Sequence, residues 1–354
     1  MFSLSVCLIV KNEEKVLKRC LSCVKNFADE IIVVDTGSTD KTKEIAKTET
    51  ENVYDFKWVN DFSEARNFSF SKATCDFVMW VDADDVITEE NVNKINLLKK
   101  IGTGADVYML KYAIAFDEEN NPTFTYERER ILRRSMNPTW HGFIHEAIAP
   151  FGKVEHLDIT IEHRKIAPTS PKRNLKMYQL RIKENHQFST RELFYYAREL
   201  YYNKNYSSCI KILKKCLKKQ DLFITNKIDA LKIMATCNLA LGKKEIAKDN
   251  LLSIIKFSLP SSEVCCLLGE IEIEEKNFEK AKFWFECALN CEKNYLNGAF
   301  IEDEYYYFIP YMQLCFVYFK LENFEKAKLF HEKAKAIRPR NPSVIYNEKF
   351  FLKT

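Results

Sequence analysis

Along the first half of the chain, short apolar runs alternate with stretches whose apolar residues recur every three or four positions. The runs are residues 4–10, 31–34 and 77–81, with a weaker one at 52–56. Their length and branched side chains predict buried strands. The first of them begins at the amino end and carries no basic leader, so it is expected to be a strand rather than a signal peptide. Between the first two runs, Val16, Leu17, Cys20, Leu21 and Val24 mark one face of a helix. Asn12 is placed to cap that helix, with Glu13 and Glu14 at its positive end. After a tight turn at Gly37, Ser38 or Thr39 can cap a second helix that runs through Ala46. Asp61-Phe62-Ser63-Glu64 has capping-box spacing and opens a third helix, which carries Ala65, Arg66 and Asn67. Alternation of this kind predicts an α/β domain of Rossmann type, its sheet mostly parallel and covered on both faces.

The pattern then changes. Residues 89–99 predict a helix, and 106–116 with 123–126 predict a hairpin around a turn at 117–122. Arg128, Arg130, Arg133 and Arg134 follow, and a further strand runs through Ile159 and Ile161 to His163. Pro168 and Pro171 mark a boundary, giving a first domain over 1–168 and a linker helix over 169–190. The remainder, 191–354, is helical and repetitive. A small residue recurs at Cys209, Ala247, Ala281 and Ala327, at intervals of 38, 34 and 46, against about 34 for tetratricopeptide repeats. Asn277-Phe278-Glu279-Lys280-Ala281 and Asn323-Phe324-Glu325-Lys326-Ala327 are near copies, and the wide last interval reads as an insertion at 295–304. Helix pairs of this kind cannot bury their apolar faces alone, so they are expected to stack into a short superhelix. Its concave face suits a polypeptide acceptor; the plainer reading is a stabilising or homodimer-forming appendage. Tyr201, Tyr202, Tyr305, Tyr306 and Tyr307 fit either.

The chemistry gathers where the strands end. In a parallel sheet the carboxyl ends lie on one rim, where open α/β sheets bind ligands. Glu13, Asp35, Asp82 and Asp84 each stand just past such an end. The run Phe77-Val-Met-Trp-Val-Asp-Ala-Asp-Asp85 puts three carboxylates beyond a buried strand. An Asp-x-Asp there can hold a divalent cation, and the cation a diphosphate; oxygen ligands suit manganese or magnesium. Asp35 at the rim can contact a nucleotide or merely cap the Gly37 turn, and Glu13 can be an ordinary first-turn acid. In Trp140-His141-Gly142-Phe143-Ile144-His145-Glu146, a carboxylate such as Glu146 can serve as general base. His145 is the other candidate, and His163 is a further candidate metal ligand. A zinc pair at His141 and His145 is disfavoured by Gly142 and by the lack of a nearby cysteine pair. The four arginines either solvate a strand or supply a phosphate clamp. Cys20 and Cys23 have redox spacing but lie mid-helix, so they are expected to be packing residues.

Composition narrows the class. A net charge of +4 over 354 residues gives no reason to expect nucleic acid. No apolar run approaches the ~20 residues that span a bilayer. Twelve cysteines scattered through helical patterns point to reduced thiols in the cytoplasm.

Cys7-Leu8-Ile9-Val10-Lys11-Asn12-Glu13-Glu14, Val33-Val34-Asp35-Thr36-Gly37-Ser38-Thr39-Asp40, Ala65-Arg66-Asn67 and Asp82-Ala83-Asp84 together resemble the family 2 glycosyltransferases of the GT-A fold. Asn60-Asp61-Phe62-Ser63 and His141-Gly142-Phe143-Ile144-His145-Glu146 resemble the subgroup with a tetratricopeptide tail, which includes the sublancin-type peptide S-glycosyltransferases. The resemblance implies that Glu13 and Asp35 contact the uridine of a UDP-sugar, with Arg66 and Asn67 near the nucleotide. It implies that Asp84, with Asp82, ligates manganese or magnesium on the diphosphate. Many members place the base in a late Glu-Asp pair; here His145-Glu146 stands in that region. The implied activity is inverting transfer of a sugar to a Ser, Thr or Cys side chain of a protein or peptide, as in flagellin or bacteriocin modification. Rival readings are transfer to a polysaccharide or lipid-linked precursor, and a non-catalytic repeat scaffold.

Overall fold

The computed structural model describes residues 1–166, 172–293 and 301–351. Pro168, Pro171 and most of the expected insertion at 295–304 lie outside the described residues. The chain divides into two compact units, one formed by Met1–Ile114 with Tyr126–Met177, the other by Ala115–Thr125 with Tyr178–Thr354.

The first unit is built on β1 (Leu4–Val10), α1 (Leu17–Val24), β2 (Glu30–Asp35), α2 (Thr42–Glu49), β3 (Val53–Asp55), α3 (Phe62–Phe70) and β4 (Phe77–Trp80). β5 (Asp85–Val86), α4 (Glu89–Ile101), β6 (Val107–Phe116), β7 (Pro122–Arg133) and β8 (Val154–His163) follow. The strand order is β3-β2-β1-β4-β7-β6-β8-β5. β1, β2, β3 and β4 are mutually parallel, as the alternation of strand and helix requires. Beyond them the sheet is mixed: β7 runs antiparallel to β4, and β5 antiparallel to β8. The reversal at β7 follows from its hairpin connection to β6, which needs no crossover helix.

Period-two alternation divides each central strand between two cores. Leu4, Val6, Leu8, Phe77, Met79 and Val81 pack with Leu17, Leu21 and Val24 of α1 and Ile95 of α4. Cys7, Ile32, Val34, Val78 and Trp80 pack on the other face with Phe70 and Trp140. Burial on both faces accounts for the unbroken apolar runs. Two expected caps are corrected here. Asn12 adopts φ 56° and its Oδ1 accepts from the Thr39 amide at 2.8 Å, so it ties the β1 and β2 loops and α1 starts only at Leu17. Ser38 Oγ accepts from the Asn12 amide at 2.9 Å, and α2 starts at Thr42. Asp61 does cap α3, accepting from the Glu64 amide at 3.3 Å.

Among the described residues, the second unit contains four helix pairs. They are α6 (Thr190–Tyr202) with α7 (Tyr206–Cys216), and α8 (Ile224–Ala240) with α9 (Lys244–Ser253); α5 (Lys172–Lys183) precedes them. Next come α10 (Ser262–Glu274) with α11 (Phe278–Leu289), and α12 (Phe308–Lys320) with α13 (Phe324–Ile337); α14 (Pro342–Phe351) ends the described chain. Each pair turns through one residue of positive φ: Lys204, Gly242, Lys276 and Glu322. These are 38, 34 and 46 residues apart, the same intervals as the small residues Cys209, Ala247, Ala281 and Ala327, all of which are fully buried. The repeat is therefore one of backbone geometry as well as of composition. β9 (Ile301–Glu302) pairs antiparallel with Phe124 and Thr125 within the same unit.

Candidate active site

β4 runs apolar and buried to Trp80, and the chain then folds into a four-residue turn. The Asp85 amide donates to the Asp82 carbonyl at 3.0 Å, and the Asp82 amide donates to Asp85 Oδ2 at 2.9 Å. This closed turn brings Asp82, Asp84 and Asp85 to the rim. Cross-strand pairing of Asp85 with His163 delivers the imidazole from the end of β8. His163 Nδ1 lies 3.1 Å from Asp84 Oδ1 and 3.1 Å from Asp85 Oδ1. Burial works against the imidazolium, but hydrogen bonds to Asp84 and Asp85 and the charge of Asp82 outweigh it, raising the His163 pKa to about 9.

Arg66, on the buried face of α3, bridges two acids. Its Nη2 is 2.8 Å from Asp82 Oδ1 and its Nε is 2.7 Å from Glu146 Oε1. The guanidinium lies 4.8 Å from the Trp80 ring centre and 4.9 Å from that of Trp140. Burial would raise the Asp82 pKa, yet Arg66, Arg130 and His163 together hold it well below the usual carboxylate range. Asn67 spends both ends of its amide on one residue: Oδ1 accepts from the Trp140 amide at 2.8 Å, and Nδ2 donates to the Trp140 carbonyl at 3.1 Å. It fixes the indole against which Arg66 rests. His145, with φ 52°, and Glu146 follow in the same segment, and both are half-buried. Arg128 Nη2 donates to the Glu146 carbonyl at 3.3 Å.

Glu13 is in the electrostatic field of the turn. Its carboxyl is pushed up to about 7, first by burial and then by Asp84, Asp82 and Asp40. Asp35 ends β2 opposite Val10 of β1. Its Oδ1 accepts from the Gly37 and Ser38 amides, each at 2.9 Å, in a turn that Gly37 permits with φ 103°. Its Oδ2 is buried and has no hydrogen-bond partner among the described residues. A buried, orphaned carboxylate oxygen is costly unless something supplies a donor.

Asp82, Asp85 and His163 each offer a ligand atom within 4.8 Å of the others. Asp82 and Asp84 are the accessible carboxylates of the turn, 27% and 15% exposed against 1% for Asp85. Carboxylate oxygens with one imidazole form a donor set suited to manganese or magnesium. Tyr112 escaped the sequence reading, and the roles of Arg130 and Asp85 were not assigned by it. Tyr112 donates its hydroxyl towards Asp82 and Asp85, Arg130 pairs with Asp85, and Asp85 itself binds the turn together. The one legible signal was a third acid beside the Asp-x-Asp. The arginine strand is also corrected in part: Glu127, Glu129 and Arg130 are buried rather than solvating. Glu127 lies 2.5 Å from His156 Nδ1, and Glu129 and Arg130 pair with Arg128 and Asp85.

Residues 5–154 match the model of the family described as Glycosyl transferase family 2. That part of the chain is similar to family 2 glycosyltransferase domains. Among similar proteins, the SPbeta prophage-derived glycosyltransferase SunS of Bacillus subtilis is 31% identical over 248 residues, covering 65% of this chain and 57% of that protein. A TPR repeat-containing protein of Synechococcus elongatus is 42% identical over 90 residues, or 25% of this chain and 22% of the other. The chain thus spans less than two thirds of the length of these relatives. Glucosyl-3-phosphoglycerate synthase from Mycobacterium tuberculosis, solved with Mn2+ and UDP-glucose, is 23% identical over 32% of this chain and 44% of its own, at a TM-score of 0.28. That likeness is too slight to argue from. No described helix is long and apolar enough to cross a membrane.

Proposed function

We propose that the first unit transfers a sugar from a UDP-sugar, with manganese or magnesium, to a Ser, Thr or Cys side chain of a protein or peptide. The observation that carries the proposal is the meeting of Asp82, Asp84 and His163 at one rim, within the field of Glu13. Asp84, Asp82 and His163 are the residues that would hold the cation. A cation held there would supply positive charge against the negative charge that builds on the β-phosphate as the sugar–phosphate bond breaks. The orphaned Asp35 Oδ2 is an acceptor awaiting a donor, which the imide N–H of uracil supplies, and Glu13 adds a second contact to the uridine. Arg66 orients Glu146 and Asp82 together, so one guanidinium sets the spacing between the two halves of the site.

In the reaction, the acceptor oxygen or sulfur attacks the anomeric carbon from the face opposite the nucleotide. A carbon–oxygen or carbon–sulfur bond forms and the bond to the β-phosphate oxygen breaks, with inversion. The acceptor proton passes to Glu146 or, in the alternative assignment, to His145. The helical repeats serve as the polypeptide-binding part, in keeping with stacked helix pairs elsewhere. Residence in the cytoplasm belongs to the same proposal and rests on the dispersal of cysteines through helices.

The test is intact-mass analysis of candidate polypeptides incubated with the protein, Mn2+ and a panel of UDP-sugars. A sugar-sized gain that Asp84→Ala abolishes supports the reading. Donor hydrolysis that is indifferent to Asp84→Ala overturns it.

A further inference from the structure

We propose that Asp85 is a positioning residue, working with Arg130 and Tyr112 to fix the Asp82 backbone and the His163 ring, and that it is not itself a metal ligand. This rests on the reading of Asp82, Asp84 and His163 as the cation site. Asp85 is 1% exposed, and both its oxygens are engaged. Oδ1 accepts from the Tyr112 hydroxyl at 2.9 Å and lies 3.1 Å from His163 Nδ1. Oδ2 accepts from the Asp82 amide at 2.9 Å and from Arg130 Nη1 at 3.2 Å. Asp82 also has both oxygens engaged, by Arg66 and Tyr112, but it is 27% exposed. Asp85 is shut away from solvent, so turning either of its oxygens to a cation forfeits donors with no water to replace them.

Arg130 makes that forfeit more costly. It is fully buried, and among the described residues Asp85 is its one carboxylate partner. Nη1 also donates to the Trp80 carbonyl at 3.0 Å, while Nε and Nη2 have no hydrogen-bond partner among the described residues. The guanidinium lies 3.5 Å from the Trp80 ring centre and 4.2 Å from that of Tyr112. A permanent cation so enclosed needs Asp85 as its counter-charge. Conversely, three carboxylates in four residues repel one another unless some are compensated. Arg130 compensates Asp85 and Arg66 compensates Asp82, while the Asp84 carboxylate has no arginine and faces only the His163 ring among the described residues.

Tyr112 joins the two layers. Its hydroxyl reaches Asp85 Oδ1 at 2.9 Å, Asp82 Oδ2 at 3.1 Å and His163 Nδ1 at 2.7 Å. Groups behind metal-binding side chains commonly change affinity by about 10- to 100-fold when removed.

The experiment is Mn2+ binding in the presence of UDP, read from the free-Mn2+ signal by electron paramagnetic resonance, with circular dichroism as a fold control. Tyr112→Phe keeps the ring and is expected to weaken Mn2+ binding about ten-fold. Asp85→Asn is expected to weaken it more, and adding Arg130→Gln to Asp85→Asn should recover part of the loss by removing the stranded cation. Full-strength binding in Tyr112→Phe overturns the proposal. So does a double variant no better than Asp85→Asn, because a true ligand cannot be rescued by deleting its counter-charge. If the wild-type protein binds no Mn2+ with UDP, the cation site itself is refuted, and that failure is visible before any variant is made.

Discussion

Replacing Arg66 with methionine removes the single group that bridges Asp82 and Glu146. Side-chain exposures of 9% for the arginine and 12% for Glu146 put that pair out of solvent, while Asp82 is 27% exposed. Breaking a buried pair by deleting one partner costs about 3–5 kcal/mol, because the other charge is stranded. Two acids are stranded here, but Asp82 is partly wet and keeps the Tyr112 hydroxyl, so its share is smaller. Loss of contact with the Trp80 and Trp140 rings adds roughly 1 kcal/mol. The expected loss at pH 7 is therefore on the order of 4–6 kcal/mol. Its pH dependence has a definite sign. Because the folded-state pKa of Asp82 lies below the unfolded value, the stabilisation is present above the unfolded pKa and lost as pH falls through the folded one. The gap between wild type and Arg66→Met should thus narrow as pH drops below about 4. Urea unfolding followed by tryptophan fluorescence measures it, and Glu146→Gln combined with Arg66→Met should show coupling of about 1–3 kcal/mol. A cost under about 1 kcal/mol, or one that does not change between neutral and acid pH, would refute the bridge.

Asp35→Asn keeps an acceptor for the Gly37 and Ser38 amides but turns the orphaned oxygen into a donor. UDP affinity should fall by about 10- to 100-fold with little change in stability, and calorimetric affinity within two-fold of wild type would count against the uridine contact. Glu302 in the second unit is pushed up to about 7, chiefly by burial and then by Glu263, with Lys232 working the other way. A raised carboxyl contributes stability below its unfolded pKa that is lost as pH rises through the folded value. Thermal melts should therefore show the second unit weakening from pH 5 to pH 8, and Glu302→Gln should flatten that slope. A methyl group on Gly269 of α10 would sit 2.7 Å from ring atoms of the buried Phe285. Gly269→Ala should cost about 1–2 kcal/mol in urea unfolding, overpacking outweighing the gain in helix propensity; a stabilised variant would show that the ring can yield.

Much of the first unit was readable because strands buried on both faces are apolar throughout and end in acids. The Asp61 cap and the Gly37 turn were readable because they are local. Asn12 misled for a local reason too: a good capping residue five positions ahead of Leu17 instead takes a left-handed conformation and serves the neighbouring loop. Tyr112 and the role of Arg130 were invisible because their partners lie 27 to 51 residues away, across strand pairings whose register no short pattern encodes. Glu127, Arg128, Glu129 and Arg130 resemble a solvated strand in sequence. Arg128 and Glu129 pair with each other, and only the distant partners His156 and Asp85 show why Glu127 and Arg130 are tolerated inside. The repeats were legible in their small residues, whereas the pairing of β9 with Phe124 and Thr125 joins segments far apart in sequence.

The most direct measurement is calorimetric titration of UDP with Mn2+ present, with Mn2+ removed by chelation, and with Asp84→Ala. Tight uptake in the first case alone is the expected result. Equal uptake in all three would contradict a rim organised around a cation and a nucleotide diphosphate.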